Sequence, residues 1–256
     1  MNYYLTLVGI LFLYMSSWFT YAWIKKRNDV ADVAWGLGFV IMAWSSFLIS
    51  NQISWRPLLV NLLVTLWGLR LAWHIYQRNR NKGEDYRYLE WREQWGKWFY
   101  LRSYFQVFIL QGIMLFLIVT PVLLINKDIG STTTALDIIG LVVWIIGFFF
   151  ESVGDWQLSQ FIKNPTKKGK IMQSGLWHYS RHPNYFGEVT QWWGIFLIAL
   201  SLPHAWLTII GPLTITTLIL FVSGIPLLEK SFAGRTDFEE YKKKTSIFLP
   251  LPPKNQ

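Results

Sequence analysis

The chain has 256 residues, of which 52% are hydrophobic, 18% aromatic and only 15% charged, a balance typical of a membrane protein rather than a soluble domain. It contains no cysteine, which excludes disulfides, iron–sulfur clusters, thiolate metal sites and cysteine nucleophiles. The net charge of +9 comes from basic residues between apolar blocks, where topology and anionic lipids explain them better than nucleic acid.

The apolar residues fall into blocks of about 20 residues, and a helix of that length crosses a hydrocarbon core of about 30 Å. The predicted spans, in chain order, are 3–24, 34–50, 57–76, 104–125, 136–154, 185–202 and 205–227. The first has no basic segment before it and no small-residue cleavage site after it, so we expect a retained helix rather than a signal peptide. The sequence therefore predicts an all-α integral membrane protein with seven transmembrane helices in a single membrane domain, 1–256.

The basic residues alternate between the two sides of these spans. Segments 25–33, 77–102, 155–184 and 229–256 hold three, seven, five and six Lys or Arg residues, whereas the opposite set holds only Arg56 and Lys127. The positive-inside rule then places the N-terminus outside and the C-terminus in the cytoplasm. We expect a multi-pass protein, in the inner membrane if the source is bacterial, whose functional surface faces the cytoplasm.

Ionisable side chains at membrane depth are costly, so they are candidate functional residues. They are Asp29, Asp32, Arg70, His74, Glu151, Asp155, Glu188 and Glu229. Helical spacing places Glu151 and Asp155 on one face of the fifth span, and Trp67, Arg70 and His74 on one face of the third. The alternative for each of these side chains is a structural role, in which it reaches the membrane interface or pairs with another residue inside the helix bundle.

The densest polar segment runs from Ser174 to Glu188. Gly175 indicates a turn, and Pro183 suits the first turn of the sixth span. A helix that starts there directs its free N–H groups toward the cytoplasm, where they favour phosphate or carboxylate. We expect no metal site, because Pro183 interrupts the helical register that would align His178 with His182.

Part of this segment, Leu176-Trp-His-Tyr-Ser-Arg-His-Pro-Asn-Tyr-Phe-Gly-Glu188, strongly resembles the signature of the membrane steroid 5-alpha-reductase family. The resemblance extends over 140–256, through Glu151-Ser-Val-Gly-Asp155 and Leu228-Glu-Lys-Ser-Phe232. It implies a seven-helix bundle that binds NADPH and reduces the carbon–carbon double bond of an enone in a lipid-like substrate. The expected partners are that substrate and membrane lipids, with no nucleic acid.

The resemblance also implies roles for individual residues. Cofactor contacts are carried over to Asp155, Arg181, Asn184 and Glu188, and more weakly to Lys170, Tyr179, Lys230 and Tyr241, while Glu151 stands where steroid-acting members have an amide-type residue. Hydride delivery builds negative charge on the enone oxygen, which needs a hydrogen-bond donor. The matching acid is Asp32, or Asp29 in a shifted register; Trp67 replaces the family's tyrosine, with Arg70 and His74 on the following turns.

Two other functions stay open. Isoprenylcysteine carboxyl methyltransferases resemble this chain in the core Arg-His-Pro-x-Tyr-x-Gly, here Arg181-His-Pro-Asn-Tyr-Phe-Gly187, which makes an S-adenosylmethionine-dependent membrane methyltransferase the closest alternative. A transporter is the third, although internal repeats and broken helices, which are typical of transporters, are not visible in the sequence. Asn184, Glu188 and the Asp155 segment favour the reductase.

Overall fold

The computed structural model describes residues 2–130 and 132–254, and these residues are almost entirely helical or in turns. Within those ranges the extended pairing is confined to one isolated parallel bridge, between Ser180 and Ser246. The chain divides into two compact units, Met1–Thr132 and Thr133–Gln256. The all-helical prediction is confirmed, and the single membrane domain over 1–256 stays a prediction.

The first unit begins with three long helices: α1 (Tyr3–Lys25), α2 (Val30–Ser50) and α3 (Trp55–Asn79). A continuous helical stretch follows, made of α4 (Tyr86–Trp95), a 3-10 turn (Gly96–Trp98), α5 (Phe99–Ser103), a π-helical segment (Tyr104–Ile109) and α6 (Leu110–Ile118). The short helix α7 (Thr120–Ile125) ends the unit's helices.

The second unit is organised around α8 (Ala135–Lys163) and α9 (Pro183–Ala199). Between them lie two 3-10 turns, Pro165–Lys167 and Gly175–His178. After α9 come a 3-10 turn (Ala205–Ile209), α10 (Ile210–Thr217), a π-helical segment (Leu218–Val222), α11 (Ile225–Lys230) and α12 (Thr236–Lys244).

Six helical stretches of the described chain are long and apolar enough to cross a membrane, as expected of a multi-pass membrane protein. They are Tyr3–Lys25, Val30–Ser50, Trp55–Asn79, Tyr86–Ile118, Ala135–Lys163 and Ala205–Lys230. The remaining predicted span, 185–202, corresponds to α9, which has 17 residues. At about 1.5 Å per residue, α9 is about 25 Å long, somewhat shorter than a typical bilayer core.

The fourth span differs most from its prediction, 104–125. The helical stretch starts at Tyr86, because the aromatic and charged residues before position 104 are also helical. It breaks at Val119, since Pro121 has no N–H to continue the ladder. The Thr120 hydroxyl bonds the carbonyl oxygen of Leu117 at 2.7 Å, which satisfies the group that Pro121 leaves without its helical donor.

Glycines allow very close helix packing in both units. An ideal Cβ on Gly36 of α2 would lie 2.6 Å from the carbonyl oxygen of Gly68 on α3. In the second unit, Gly140 and Gly147 of α8 pack on Gly194 and Gly187 of α9 with comparable clashes for added Cβ atoms, and Gly154, seven residues farther along α8, packs on Asn184. Small residues are a common means of close helix approach in membranes. Here they bring the polar side chains of α8 within reach of α9.

Candidate functional site

Two pairs of polar side chains connect α8 with α9 in the second unit. The Asn184 amide donates to Asp155 Oδ1 at 3.0 Å, and the Gln191 amide donates to Glu151 Oε2. Glu151 and Gln191 are almost completely buried, with 2% and 1% of their surface exposed. The face that the sequence predicted from Glu151 and Asp155 therefore exists, and α9 contacts it.

The loop before α9 is fixed to α8 by its own hydrogen bonds. The backbone N–H of Leu176 donates to Gln157 Oε1 at 2.9 Å, and the Trp177 indole donates to the carbonyl oxygen of Gly154 at 3.1 Å. Gly175 has a φ of +65° and lies against the Gln157 amide, where an added Cβ would come within 2.5 Å. The predicted turn at Gly175 is confirmed, and Pro183 is in the first turn of α9 as predicted.

Arg181 is buried and joins this loop to the later part of the unit. Its Nε donates to Glu229 Oε1 at 2.9 Å, and its Nη1 donates to the carbonyl oxygen of Thr245 at 2.8 Å. The backbone N–H of Arg181 donates to the carbonyl oxygen of Ser246 at 2.8 Å. Arg181 therefore holds protein segments together, and its predicted contact with a cofactor stays a prediction.

His182 shares the same carboxylate. Its Nε2 lies 3.0 Å from Glu229 Oε1, and its ring stacks on Tyr185 with centroids 5.6 Å apart. Burial lowers the pKa of His182 and outweighs the opposing effect of Glu229. The neutral ring therefore donates from Nε2 to the carboxylate, and its Nδ1 has no hydrogen-bond partner among the described residues.

Residues 245–251 pack along the loop, and we call them the tail segment. The Ser180 hydroxyl donates to the carbonyl oxygen of Phe248 at 2.8 Å, and the backbone N–H of Leu251 donates to the carbonyl oxygen of Tyr179 at 3.0 Å. Just before the tail segment, the buried Tyr241 hydroxyl donates to the carbonyl oxygen of Trp177. Burial raises the pKa of Tyr241, so its hydroxyl keeps its proton as a structural donor.

The other predicted cofactor residues of this unit occupy two kinds of environment. Glu188 is half-buried on α9, one turn after Asn184. Lys170, Tyr179 and Lys230 are exposed, as an approaching phosphate or ring would require. The structure thus brings Glu151, Asp155 and Asn184 together at the interface of α8 and α9. It leaves Lys170, Tyr179 and Lys230 accessible at the surface.

In the first unit, Asp32 belongs to a cluster with residues just before and at the start of α4. Arg87 Nη2 lies 3.7 Å from Asp32 Oδ2, and Arg87 Nε lies 2.9 Å from Asp85 Oδ1. Burial would raise the pKa of Asp85, but hydrogen bonds from Arg87 outweigh it and lower that pKa. The alternative acid, Asp29, is already paired with Arg27 at 2.6 Å.

The remaining predicted catalytic residues lie on consecutive turns of α3. Trp67 is 2% exposed and packs edge-on against Phe39 of α2, with ring centroids 5.2 Å apart. Arg70 and His74 are half-buried farther along the helix. Their roles stay predictions. In the described parts of the chain, no three His, Asp or Glu side chains are grouped closely enough to hold a metal ion.

Sequence reasoning missed Gln191 as part of the site, and also the unpaired polar atoms around it. Among the described residues, buried atoms without a hydrogen-bond partner include Ser152 Oγ, Asn184 Oδ1 and Gln191 Oε1. Buried polar atoms are normally satisfied, so each of these atoms can bind a polar ligand or an ordered water. The seven-residue glycine spacing was the signal that could have brought Gln191 to attention.

The sequence of this chain is similar to one protein family and to individual known proteins. A family model described as "Protein of unknown function (DUF1295)" matches residues 18–245. An uncharacterized protein of Schizosaccharomyces pombe is 26% identical over 281 aligned positions, which cover 95% of this chain and 79% of that protein. No solved structure matches.

A second relative agrees with the resemblance found from the motifs. The 3-oxo-5-alpha-steroid 4-dehydrogenase 1 of Rattus norvegicus is 27% identical over 113 residues, which cover 44% of this chain and 40% of the rat protein.

Proposed function

This chain belongs to the family described as protein of unknown function DUF1295, and on that premise we propose that it is an NADPH-dependent membrane reductase. The substrate is a lipid-like molecule with an enone-type carbon–carbon double bond, such as a 3-oxo-4-ene steroid. The similarity to the rat 3-oxo-5-alpha-steroid 4-dehydrogenase 1 supports this reaction class.

One observation carries the proposal. Asp155 and Asn184, two residues that the resemblance assigns to the cofactor, are hydrogen-bonded to each other although 29 residues separate them. Close by in the same helix pair lie Glu151 and the unpaired oxygens of Ser152 and Gln191. A reductase of this kind needs several fixed polar groups at its cofactor site, because they hold the nicotinamide in one orientation.

The donor set suits NADPH. Its nicotinamide carboxamide has both donor and acceptor atoms, which match the carboxylates and the unpaired amide oxygens of Asn184 and Gln191. Its phosphates suit the exposed ammonium groups of Lys170 and Lys230. When bound, NADPH supplies a hydride to the β carbon of the enone. The chain's own residues bind and orient the reactants and hold a proton for the enone oxygen.

The proton donor is Asp32, which matches the acid of the steroid-acting relatives. Arg87 lies 3.7 Å from its carboxylate, within ion-pair distance. Trp67 can donate only through its indole N–H, so it orients the oxygen but cannot relay a proton. Arg70 and His74, on the next turns of α3, are the other proposed catalytic residues.

The proposed topology has seven crossings, made by the six candidate spans together with α9, which is the sixth in chain order, and it has the N-terminus outside. The basic-residue distribution supports it, because Arg56 and Lys127 alone fall on the outer side. In this topology the loop 174–182 and the tail segment face the cytoplasm, where NADPH is supplied.

The first experiment measures thermal unfolding of the detergent-purified protein with NADPH, NADH and S-adenosylmethionine, since a ligand of the native state raises its stability. We expect stabilisation by NADPH. Stabilisation by S-adenosylmethionine alone would overturn the proposal in favour of methyl transfer, and no response to any of the three would favour a transporter.

Variants then test the assignment. Glu188→Gln and Lys170→Gln should both reduce NADPH stabilisation; the exposed Lys170→Gln should also leave the ligand-free unfolding temperature unchanged, and the exposed Glu240→Gln should change neither quantity. Arg181→Ala should also weaken cofactor binding, but it removes contacts with Glu229 and Thr245 and so lowers the ligand-free stability as well. Asp32→Asn should slow enone reduction with little effect on cofactor affinity. Wild-type affinity in both Glu188→Gln and Lys170→Gln contradicts the cofactor assignment.

A further inference from the structure

A groove of about 650 Å³ lies in the first unit, against the C-terminal halves of α1 and α3 and the start of α2. Four aromatic side chains line it: Tyr14, Trp18, Tyr21 and Tyr76. Its volume is in the range of small-molecule sites. Of the residues considered for the reductase reaction, the alternative acid Asp29 lines this groove, whereas Asp32, Trp67, Arg70 and His74 do not.

The aromatic wall is ordered along one face of α1. Tyr14 and Trp18 pack edge-on with centroids 6.3 Å apart, and Trp18 and Tyr21 do so at 5.7 Å. The Tyr14 hydroxyl donates to the carbonyl oxygen of Ala34 at 2.7 Å, which ties this wall to α2. Tyr21 and Tyr76 are 45% and 48% exposed, so the groove is open along its side. Its apolar interior and open side suit an acyl chain that enters from the bilayer.

The end of the groove is basic. Lys25, Arg27 and Arg80 line it together with Asp29. Arg27 neutralises Asp29 through two hydrogen bonds, at 3.0 and 2.6 Å. No carboxylate of the described chain forms an ion pair with Lys25 or Arg80, so two positive charges remain at this end.

The basic end lies at the level where lipid headgroups are expected. Lys25 is in the last turn of the candidate span Tyr3–Lys25, and Arg80 directly follows the candidate span Trp55–Asn79. The Lys25 ammonium also lies 5.9 Å from the centroid of the Tyr21 ring. Aromatic and basic residues gather at membrane interfaces, but here they surround one concave site.

From this combination we propose that the groove binds one anionic phospholipid, with an acyl chain along Trp18 and Tyr14 and the phosphate between Lys25 and Arg80. The occupant is a lipid because the aromatic part of the groove needs an apolar chain. It is anionic because two unpaired cations need more negative charge than a zwitterionic headgroup offers. The proposal does not depend on the reductase function.

The test uses the full chain, delipidated in detergent, and measures thermal unfolding and retained lipid by native mass spectrometry. The probes are phosphatidylglycerol, phosphatidylcholine with the same acyl chains, and glycerol 3-phosphate. We expect phosphatidylglycerol to bind and stabilise, and the other two to do so at least tenfold more weakly. Equal binding of phosphatidylcholine, or of glycerol 3-phosphate, overturns the proposal in favour of an apolar groove or a free phosphate site.

Three variants localise the site. Each basic residue near an anionic headgroup contributes roughly a factor of 5 in affinity, so Lys25→Gln with Arg80→Gln should weaken binding by roughly 25-fold. Ser17→Trp fills the groove without changing its charge and should abolish retention. Lys127→Gln is the matched control, because Lys127 lies 5.6 Å from the Tyr3 and Tyr4 ring centroids outside the groove.

Both side chains of the double variant are exposed, so folding should be unaffected. Wild-type phosphatidylglycerol binding in the double variant or in Ser17→Trp refutes the site. A loss of binding in Lys127→Gln equal to that in the double variant refutes it as well, since the effect would then reflect net charge alone.

Discussion

Gly187→Ala should force α8 and α9 apart. An ideal Cβ at Gly187 would lie 2.3 Å from the backbone nitrogen of Glu151 and 2.5 Å from the carbonyl oxygen of Gly147, whereas ordinary contacts begin at 3.4 Å. These atoms belong to the backbone of α8, so no side chain can move away to make room. The helices must separate by about 1 Å, the difference between these distances.

The expected destabilisation follows from this displacement. Overpacking of a close interface costs about 1 to 3 kcal/mol. The separation also weakens two interhelical hydrogen bonds, from Gln191 to Glu151 and from Asn184 to Asp155, and such bonds contribute about 0.6 kcal/mol each in membrane proteins. We expect Gly187→Ala to reduce the free energy of unfolding by about 3 kcal/mol.

The assay is reversible unfolding in mixed micelles, followed by tryptophan fluorescence. Gly194→Ala is the positional comparison, because its Cβ would lie 2.7 Å from the carbonyl oxygen of Gly140 and the nitrogen of Trp144, ten residues along α9 from Asn184. Gly9→Ala is the matched control, since nothing lies within 4 Å of its added Cβ. Both α9 variants should be destabilised, but only Gly187→Ala should also reduce NADPH stabilisation.

Two results would refute this reasoning. Wild-type stability of Gly187→Ala would mean that the helices are not so closely packed. A loss of stability in Gly9→Ala as large as in Gly187→Ala would mean that the cost belongs to the substitution and not to the interface, although alanine normally favours a helix over glycine by about 1 kcal/mol.

Three further predictions concern buried polar contacts. Asp128→Asn should cost about 3 to 5 kcal/mol because it removes a carboxylate charge 2.5 Å from the buried Arg56 guanidinium, and urea unfolding of the double variant Arg56→Met with Asp128→Leu should show a smaller loss. The pKa of His182 is lowered in the folded state, so protonation of this ring favours the unfolded chain. The unfolding temperature should therefore fall as the pH drops below about 6.5. The fall should be smaller in His182→Gln, whose amide can still donate to Glu229. Tyr241→Phe should cost about 1 to 3 kcal/mol in thermal unfolding, because it removes a buried hydroxyl from backbone carbonyls; an unchanged unfolding temperature would contradict that role.

Hydropathy located the helices because each apolar block is about as long as a bilayer is thick. It misjudged their ends where polar residues continue a helix. The predicted fifth span ended at 154, but α8 continues to Lys163, and this places Asp155 within a helix. Likewise α2 begins at Val30 rather than 34, so Asp32 lies in its first turn.

The site residues were partly predictable, since the motif singled out Asp155 and Asn184. Their contact could not be derived from spacing, because it depends on how closely two helices approach. Gln191 donates to Glu151 across 40 residues of sequence, and only the glycine-lined interface makes that reach possible. Arg181 was expected to meet a cofactor, whereas its position in the fold gives it carbonyl and carboxylate partners from residues 48 to 64 positions later.

The tail segment has a consequence for biogenesis. The carbonyl oxygen of Phe248 that accepts from Ser180 is made 68 residues later. At about 5 to 20 residues per second, the ribosome takes roughly 3 to 14 s to cover that distance. During that interval the nascent loop lacks this acceptor. The loop can therefore complete its hydrogen bonds only after the tail segment has been made.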